Sequence, residues 1–203
     1  MMKTYFITGI GTDIGKTFIS SILVESLKAD YWKPIQSGDL DNSDSHKVKK
    51  LITNNISKIH PEFHRLSAPI SPHAAAKLDK IKINISNINI PITENHLIIE
   101  GAGGIFVPLN DKEIILDLII KINCEVIIVS KNYLGSINHT LLTINALKEK
   151  KIKIKGLFFS GKKNLESETI IKKMGKIKIL GKIPHIEEVN SKKITEIAKK
   201  INL

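Results

Sequence analysis

Short apolar runs recur along the chain, bounded by glycine- and proline-bearing turns and separated by stretches in which apolar residues return every three or four positions. The first kind reads as buried strands, over 5–7, 30–34, 96–100, 125–130, 155–160 and 178–183. The second reads as helices, over 18–27, about 44–54, 74–79, 114–122, 137–150, 166–174 and 192–201. Strand and helix alternate almost throughout, which predicts an α/β fold: a doubly wound, mainly parallel sheet with helices on both faces. The segment 81–92 alternates isoleucine with asparagine and polar residues, and is compatible with connecting structure or a helix.

Composition narrows this picture. A chain of 203 residues fits a single domain over 1–203 and can bury a core under both faces of a sheet. Its 42% hydrophobic and 25% charged residues are those of an ordinary globular protein rather than a disordered one. No apolar run approaches the roughly 20 residues of a spanning helix, and Lys3 leads straight into the first strand without a signal-peptide pattern. The expectation is a cytoplasmic protein with no membrane partner. The single cysteine, Cys124, precedes the apolar run 126–129 and reads as a structural thiol, with no zinc cluster. The net charge of +11 raises nucleic acid as a partner. Against it, the lysines are dispersed among isoleucines, and aromatic residues are only 5%, too few for a stacking platform. The positive field would still draw in anionic substrates such as a nucleotide.

The sharpest chemical signal is Gly9-Ile-Gly-Thr-Asp-Ile-Gly-Lys-Thr17, between the first strand and the first helix. That is the context of a phosphate-binding P-loop, in which backbone N–H groups and the helix N-terminus surround phosphate oxygens. Lys16 would add charge at the outer phosphates and the Thr17 hydroxyl would ligate magnesium. The usual spacing places a glycine at position 10, where this chain has Ile10, straddled by Gly9 and Gly11.

Other candidates fall at strand ends, where open α/β sheets hold ligands. Lys33 precedes Pro34 at the end of the second strand, and Gln36, Ser37 and Gly38 follow. Asp44 is either a site residue or, like Ser43, a helix cap. Glu100 ends an apolar strand before the glycines Gly101, Gly103 and Gly104, which permit close backbone approach to a ligand; it either binds magnesium or merely terminates the strand. Gly135, Ser160 and Pro184 mark further strand ends, so one site is expected along that edge.

Taken together, these residues resemble the dethiobiotin synthetases, P-loop enzymes of biotin biosynthesis. The matches are Tyr5 to Gly9 with Gly15-Lys16-Thr17, Lys33-Pro34 with Ser37-Gly38, and Asn42-Ser43-Asp44. They continue with Ser71-Pro72-His73, Glu100 to Gly104, Leu134-Gly135 with Ile137-Asn138-His139, and Gly181 with Ile183-Pro184. The resemblance implies ATP-dependent carboxylation and ring closure of 7,8-diaminononanoate with carbon dioxide to dethiobiotin, releasing ADP and phosphate. It implies Lys16, Lys33 and Thr12 as catalytic residues, and magnesium at Thr17, Asp44 and Glu100. Nucleotide contacts would come from Asp13, Ile14, Gly15, Lys16, Thr17, Phe18, Asp44, Glu100, Gly101, Ala102 and Gly103, with Pro184, His185 and Ile186 near the base. Ser37 would hold the diamine or carbamate. A homodimer is implied in which Leu134, Gly135 and Asn138 reach the neighbouring subunit's substrate; Asn138 is otherwise a helix-start residue with a local hydrogen bond.

One departure stands out. Where the family usually reads adenine with an asparagine, this chain has Ser160-Gly161, which lacks the paired donor and acceptor of an amide and implies weak base selectivity. Two other classes fit less well. A glutamine-dependent amidotransferase needs a glutaminase domain and a nucleophilic cysteine. A ParA- or MinD-like switch carries a lysine at the position held here by Gly11.

Overall fold

The computed structural model describes residues 2–203. In chain order the elements are β1 (Thr4–Gly9), α1 (Lys16–Leu27), β2 (Asp30–Trp32), β3 (Ile35–Ser37), α2 (Asp44–Leu51), β4 (Ile59–His60), β5 (His64–Leu66), α3 (Pro72–Leu78) and β6 (Leu97–Gly104). There follow α4 (Ile115–Ile122), β7 (Glu125–Lys131), α5 (Ser136–Glu149), β8 (Ile154–Ser160), α6 (Leu165–Gly175), β9 (Ile179–Ile183) and α7 (Ser191–Ala198).

Seven strands form one sheet in the order β4-β2-β6-β1-β7-β8-β9, and every adjacent pair is parallel. Parallel pairing needs crossovers that cover both faces, so its strands are apolar on both sides. Along β1, Tyr5 and Ile7 face the layer of α1, α2 and α7, while Phe6 faces the layer of α3 to α6. The same alternation holds in β7, with Ile127 and Val129 on the first face and Val126 and Ile128 on the second. Each buried isoleucine or leucine contributes about 1.5–3 kcal/mol relative to exposure. β1 is central, and the chain leaves its C-terminal end directly into the P-loop.

Of the two readings of the segment 81–92, connecting structure holds and the helix does not: a single 3-10 turn over Ile85–Asn87 interrupts it, with Ile83 and Ile88 buried. Lys121 on α4 fixes that turn, its Nζ donating to the carbonyls of Ile85, Ser86 (2.7 Å) and Ile88 (2.9 Å). The helix beginning at Asp44 stops at Leu51, and the terminal helix stops at Ala198. Glu100 does not end its strand, since β6 continues through the glycines and Gly104 pairs with Gly9 after a register shift. Glycines without side chains let β6 run on beside the P-loop. Among the described residues, no helix is long and apolar enough to cross a membrane.

Candidate active site

The P-loop bridges β1 and α1 through Gly15, whose φ of +94° is left-handed and suits glycine. A Cβ there would also come within 2.7 Å of the Ser160 hydroxyl, so the end of β8 packs directly on the phosphate loop. The first N–H groups of α1 have no carbonyl one turn earlier to bond, and they face the loop. Lys16 folds back over it, donating to the Gly11 carbonyl at 2.8 Å. Ile14 is buried against β1 and offers only its backbone. Lys131, at the end of β7, donates to the Asp13 carbonyl at 3.3 Å and braces the loop from its other flank.

Lys33, Asp44, Thr17 and Glu100 converge beside this loop. The Lys33 ammonium contacts Asp44 Oδ2 and donates to Glu100 Oε1 at 3.2 Å. The Thr17 hydroxyl donates to the same Glu100 oxygen at 2.9 Å. Glu100 is fully buried and Lys33 nearly so. Burial alone would depress the Lys33 pKa, but Glu100 and Asp44 outweigh it and hold the ammonium above its usual range. Burial likewise opposes the charge on Asp44, and Lys33 overcomes it, keeping that carboxyl below the usual range. Lys16 differs. Burial, with Lys33 as a like-charged neighbour, lowers it from 10.5 to about 8, against weaker support from Glu100, Asp44 and Asp13.

Asp44 is the first residue of α2 and not its cap. Ser43 takes that role, its hydroxyl accepting from the His46 N–H (3.4 Å) while His46 Nδ1 accepts from the Ser43 N–H (3.2 Å). The Asp44 side chain is thereby free to turn to Lys33. Two carboxylates meeting at the Lys33 ammonium, with the Thr17 hydroxyl on one of them, form a set of hard oxygen donors whose chemistry fits a magnesium ion.

A cavity of about 710 Å³ opens over these groups. It brings together Thr12, Asp13, Gly15, Lys16, Thr17, Phe18, Lys33, Ser37, Asp44, Glu100, Ala102 and Gly103. The Ser37 hydroxyl at its wall is buried without a hydrogen-bond partner, an orphaned polar group of the kind a ligand satisfies. Gly101 does not line the cavity: a Cβ there would lie 2.7 Å from the Phe6 ring, so its smallness serves packing within the sheet. Leu134 and Gly135 line a separate cleft of about 400 Å³ with Ile137, and Asn138 is exposed at the start of α5. Pro184 and His185 are exposed and Ile186 half-buried beyond the end of β9; none of the three lines the central cavity.

The AAA domain family matches residues 3–193. A Christiangramia forsetii protein named ATP-dependent dethiobiotin synthetase BioD is 56% identical over 199 residues, covering 97% of this chain and 96% of that protein. Proteins of the same name from Cytophaga hutchinsonii and Paramagnetospirillum magneticum are 48% and 37% identical, covering 98% and 94% of this chain and 97% and 92% of theirs. The chain belongs to the ATP-dependent dethiobiotin synthetase family. It is an enzyme, a ligase. Among solved structures, the septum site-determining protein MinD of Pyrococcus horikoshii complexed with Mg-ADP matches with a TM-score of 0.57 at 13% identity, over 98% of this chain and 96% of that one. A ParA family ATPase from Chlorobium tepidum matches with a TM-score of 0.55 at 14% identity, over 97% of both chains. At such identity the likeness is one of fold alone, the P-loop α/β fold, and the partition-type reading goes no further than that.

Two residues that sequence reasoning passed over, Tyr31 and Lys47, also shape this site, as does Gln36, noted after Lys33 but given no role there. Tyr31 on β2 donates its buried hydroxyl to Glu100 Oε2 at 3.0 Å. Gln36 accepts from the Asp44 N–H (3.3 Å) and donates to the Gly38 carbonyl (2.9 Å), tying the start of α2 to the loop after β3. Lys47 lines the cavity one turn after Asp44, bonded to Asp39 at 2.7 Å. Simple spacings carried the signals: Tyr31 lies two residues before Lys33 in extended chain, and Lys47 three after Asp44 on a helix. Cys124 is a free thiol that burial pushes up to about 12, which suits a structural role.

Proposed function

We propose that the chain closes the cyclic urea of dethiobiotin from 7,8-diaminononanoate, carbon dioxide and ATP. One amine adds to carbon dioxide and loses a proton, giving a carbamate. A carbamate oxygen then takes the γ-phosphoryl group, yielding ADP and a carbamic-phosphoric anhydride. The second amine attacks the carbonyl carbon and expels phosphate, with loss of its proton. The protein's part is positioning and charge neutralisation rather than covalent participation.

The observation that carries this reading is Lys33, a buried ammonium kept charged by Asp44 and Glu100 at the mouth of a P-loop. A lysine held protonated is an electrostatic clamp for carbamate and phosphoryl oxygens, not a general base. Lys16 neutralises the outer phosphates from the opposite side. The unpartnered Ser37 hydroxyl and Thr12 hold the diamine or carbamate end. Thr17, Asp44 and Glu100 would hold magnesium, which supplies charge neutralisation at the phosphates. On the family resemblance the enzyme works in the cytoplasm as a homodimer in which Leu134, Gly135 and Asn138 complete the partner's substrate site. Pro184, His185 and Ile186 lie near the base. With Ser160 at the phosphate loop in place of an amide, base selectivity is weak.

Purified protein supplied with the diamine, bicarbonate, magnesium and ATP should form dethiobiotin, and GTP and CTP should support comparable turnover. Lys33→Ala should lower kcat by about a hundredfold or more. Absence of dethiobiotin overturns the reaction; strict dependence on ATP overturns only the weak base selectivity; full activity in Lys33→Ala removes the role given to that lysine.

A further inference from the structure

Glu100 lies wholly inside the sheet, and its two carboxylate oxygens face different neighbours. Oε1 receives Thr17 and Lys33, the groups beside the phosphate loop. Oε2 receives only Tyr31. The register explains the reach: Tyr31 pairs with Ile98 and shares the side of the sheet to which Glu100 points, one diagonal step along β6. The terminal torsion of a glutamate is broad and soft, so packing of the stem alone does not decide which oxygen faces the cavity. A fixed donor on one oxygen does decide it.

We propose that Tyr31 is a positioning residue: its buried hydroxyl pins Glu100 Oε2, so that Oε1 alone is presented to Thr17, Lys33 and a metal-bound nucleotide. Lys33 and Thr17 can exchange partners when phosphate arrives, because both also face the cavity. Tyr31 cannot, being fully buried within the sheet, and its bond is the constant one. The phenol hydroxyl donates at 3.0 Å from a fully buried position, which water does not reach to compete for it. Outer partners of this kind fix the orientation and basicity of a liganding group.

The inference rests on the proposed magnesium role of Glu100, and the test separates the two. ADP affinity is measured by calorimetry with and without magnesium, in the native protein, Tyr31→Phe, Glu100→Gln and the double variant. Tyr31→Phe should keep its metal-free ADP affinity and weaken the magnesium dependence about tenfold. In the Glu100→Gln background the same change should add nothing. An unaltered magnesium dependence in Tyr31→Phe overturns the proposal, as does an equal loss with and without metal, which marks a purely structural role. No magnesium effect in the native protein overturns the metal reading instead. Should Tyr31→Phe not fold, fluorine NMR of protein carrying 3-fluorotyrosine at its three tyrosines decides. The Tyr31 resonance should move when magnesium is added to the ADP complex and in Glu100→Gln, and a resonance unmoved in both overturns the role.

Discussion

At the scale of single residues, the two site lysines are shifted in opposite directions by their surroundings, Lys33 upward and Lys16 downward. Lys33 has two carboxylates against its ammonium, and Lys16 has a backbone carbonyl and a like-charged neighbour. With Lys16 lowered from 10.5 to about 8, the folded protein between those values sheds a proton that the unfolded chain keeps. The unfolded state then binds more protons, so this residue makes the free protein more stable as pH rises through that window, and less stable below it. Nucleotide has the reverse dependence, because phosphate favours the charged amine. ADP binding near pH 9 should therefore take up close to one proton, read from calorimetry in buffers of different ionisation enthalpy, and affinity should fall as pH rises past about 8. Lys16→Met should abolish that uptake; uptake that survives in the variant assigns the proton to another group.

At the scale of elements, the cap of α2 is what releases Asp44 for chemistry. The Ser43 hydroxyl both accepts from the His46 N–H and donates to Glu62 at 2.7 Å, so Ser43→Ala removes the cap and strips a donor from a largely buried carboxylate. The loss should be about 1 kcal/mol or somewhat more, lowering Tm by about 2–4 °C. Activity should fall beyond what that shift explains, since Asp44 is the very next residue; an unchanged Tm with unchanged turnover would show the cap to be idle. Elements of this kind differed in how far the sequence revealed them. The strands β1, β6, β7 and β8 carry apolar runs because helices cover both their faces, and the P-loop stood out after β1, Lys33 after β2, Asp44 at the start of α2 and Glu100 beside the glycines of β6. Strands β3, β4 and β5 span two or three residues, too short for any period to register. The alternation over 81–92 carried no usable signal, because only Ile83 and Ile88 are fully buried and a lysine from a distant helix shapes the turn. The spacing to Lys33 set the side of the sheet that Tyr31 faces, but its bond to Glu100 depends on the register of the neighbouring strand, which no local pattern carries.

For the whole molecule, the decisive question is where one active site ends. Beside the P-loop residues Ile10 to Ile14 a second cavity of about 780 Å³ opens, walled by Ile105, Phe106, Val107, Tyr133 and Leu142. Phe106 is 63% exposed and Leu142 56%, and Leu134 stands wholly in solvent at the tip of its turn. In the proposed homodimer a second copy of the chain would cover these apolar side chains and bring its own Leu134 to Asn138 turn to this site. If each site takes Lys33 from one subunit and Asn138 from the other, two inactive variants should repair one another. In a mixed dimer of Lys33→Ala with Asn138→Ala, one site carries both defects and the other carries neither. Half the dimers in an equal mixture are mixed, so activity should recover to about a quarter of the native value after exchange of subunits. Recovery should track the mixed species in sedimentation or native mass spectrometry. Mixed dimers that form without regaining activity would place the whole of each site within one chain, and would reduce the exposed leucine to a packing contact.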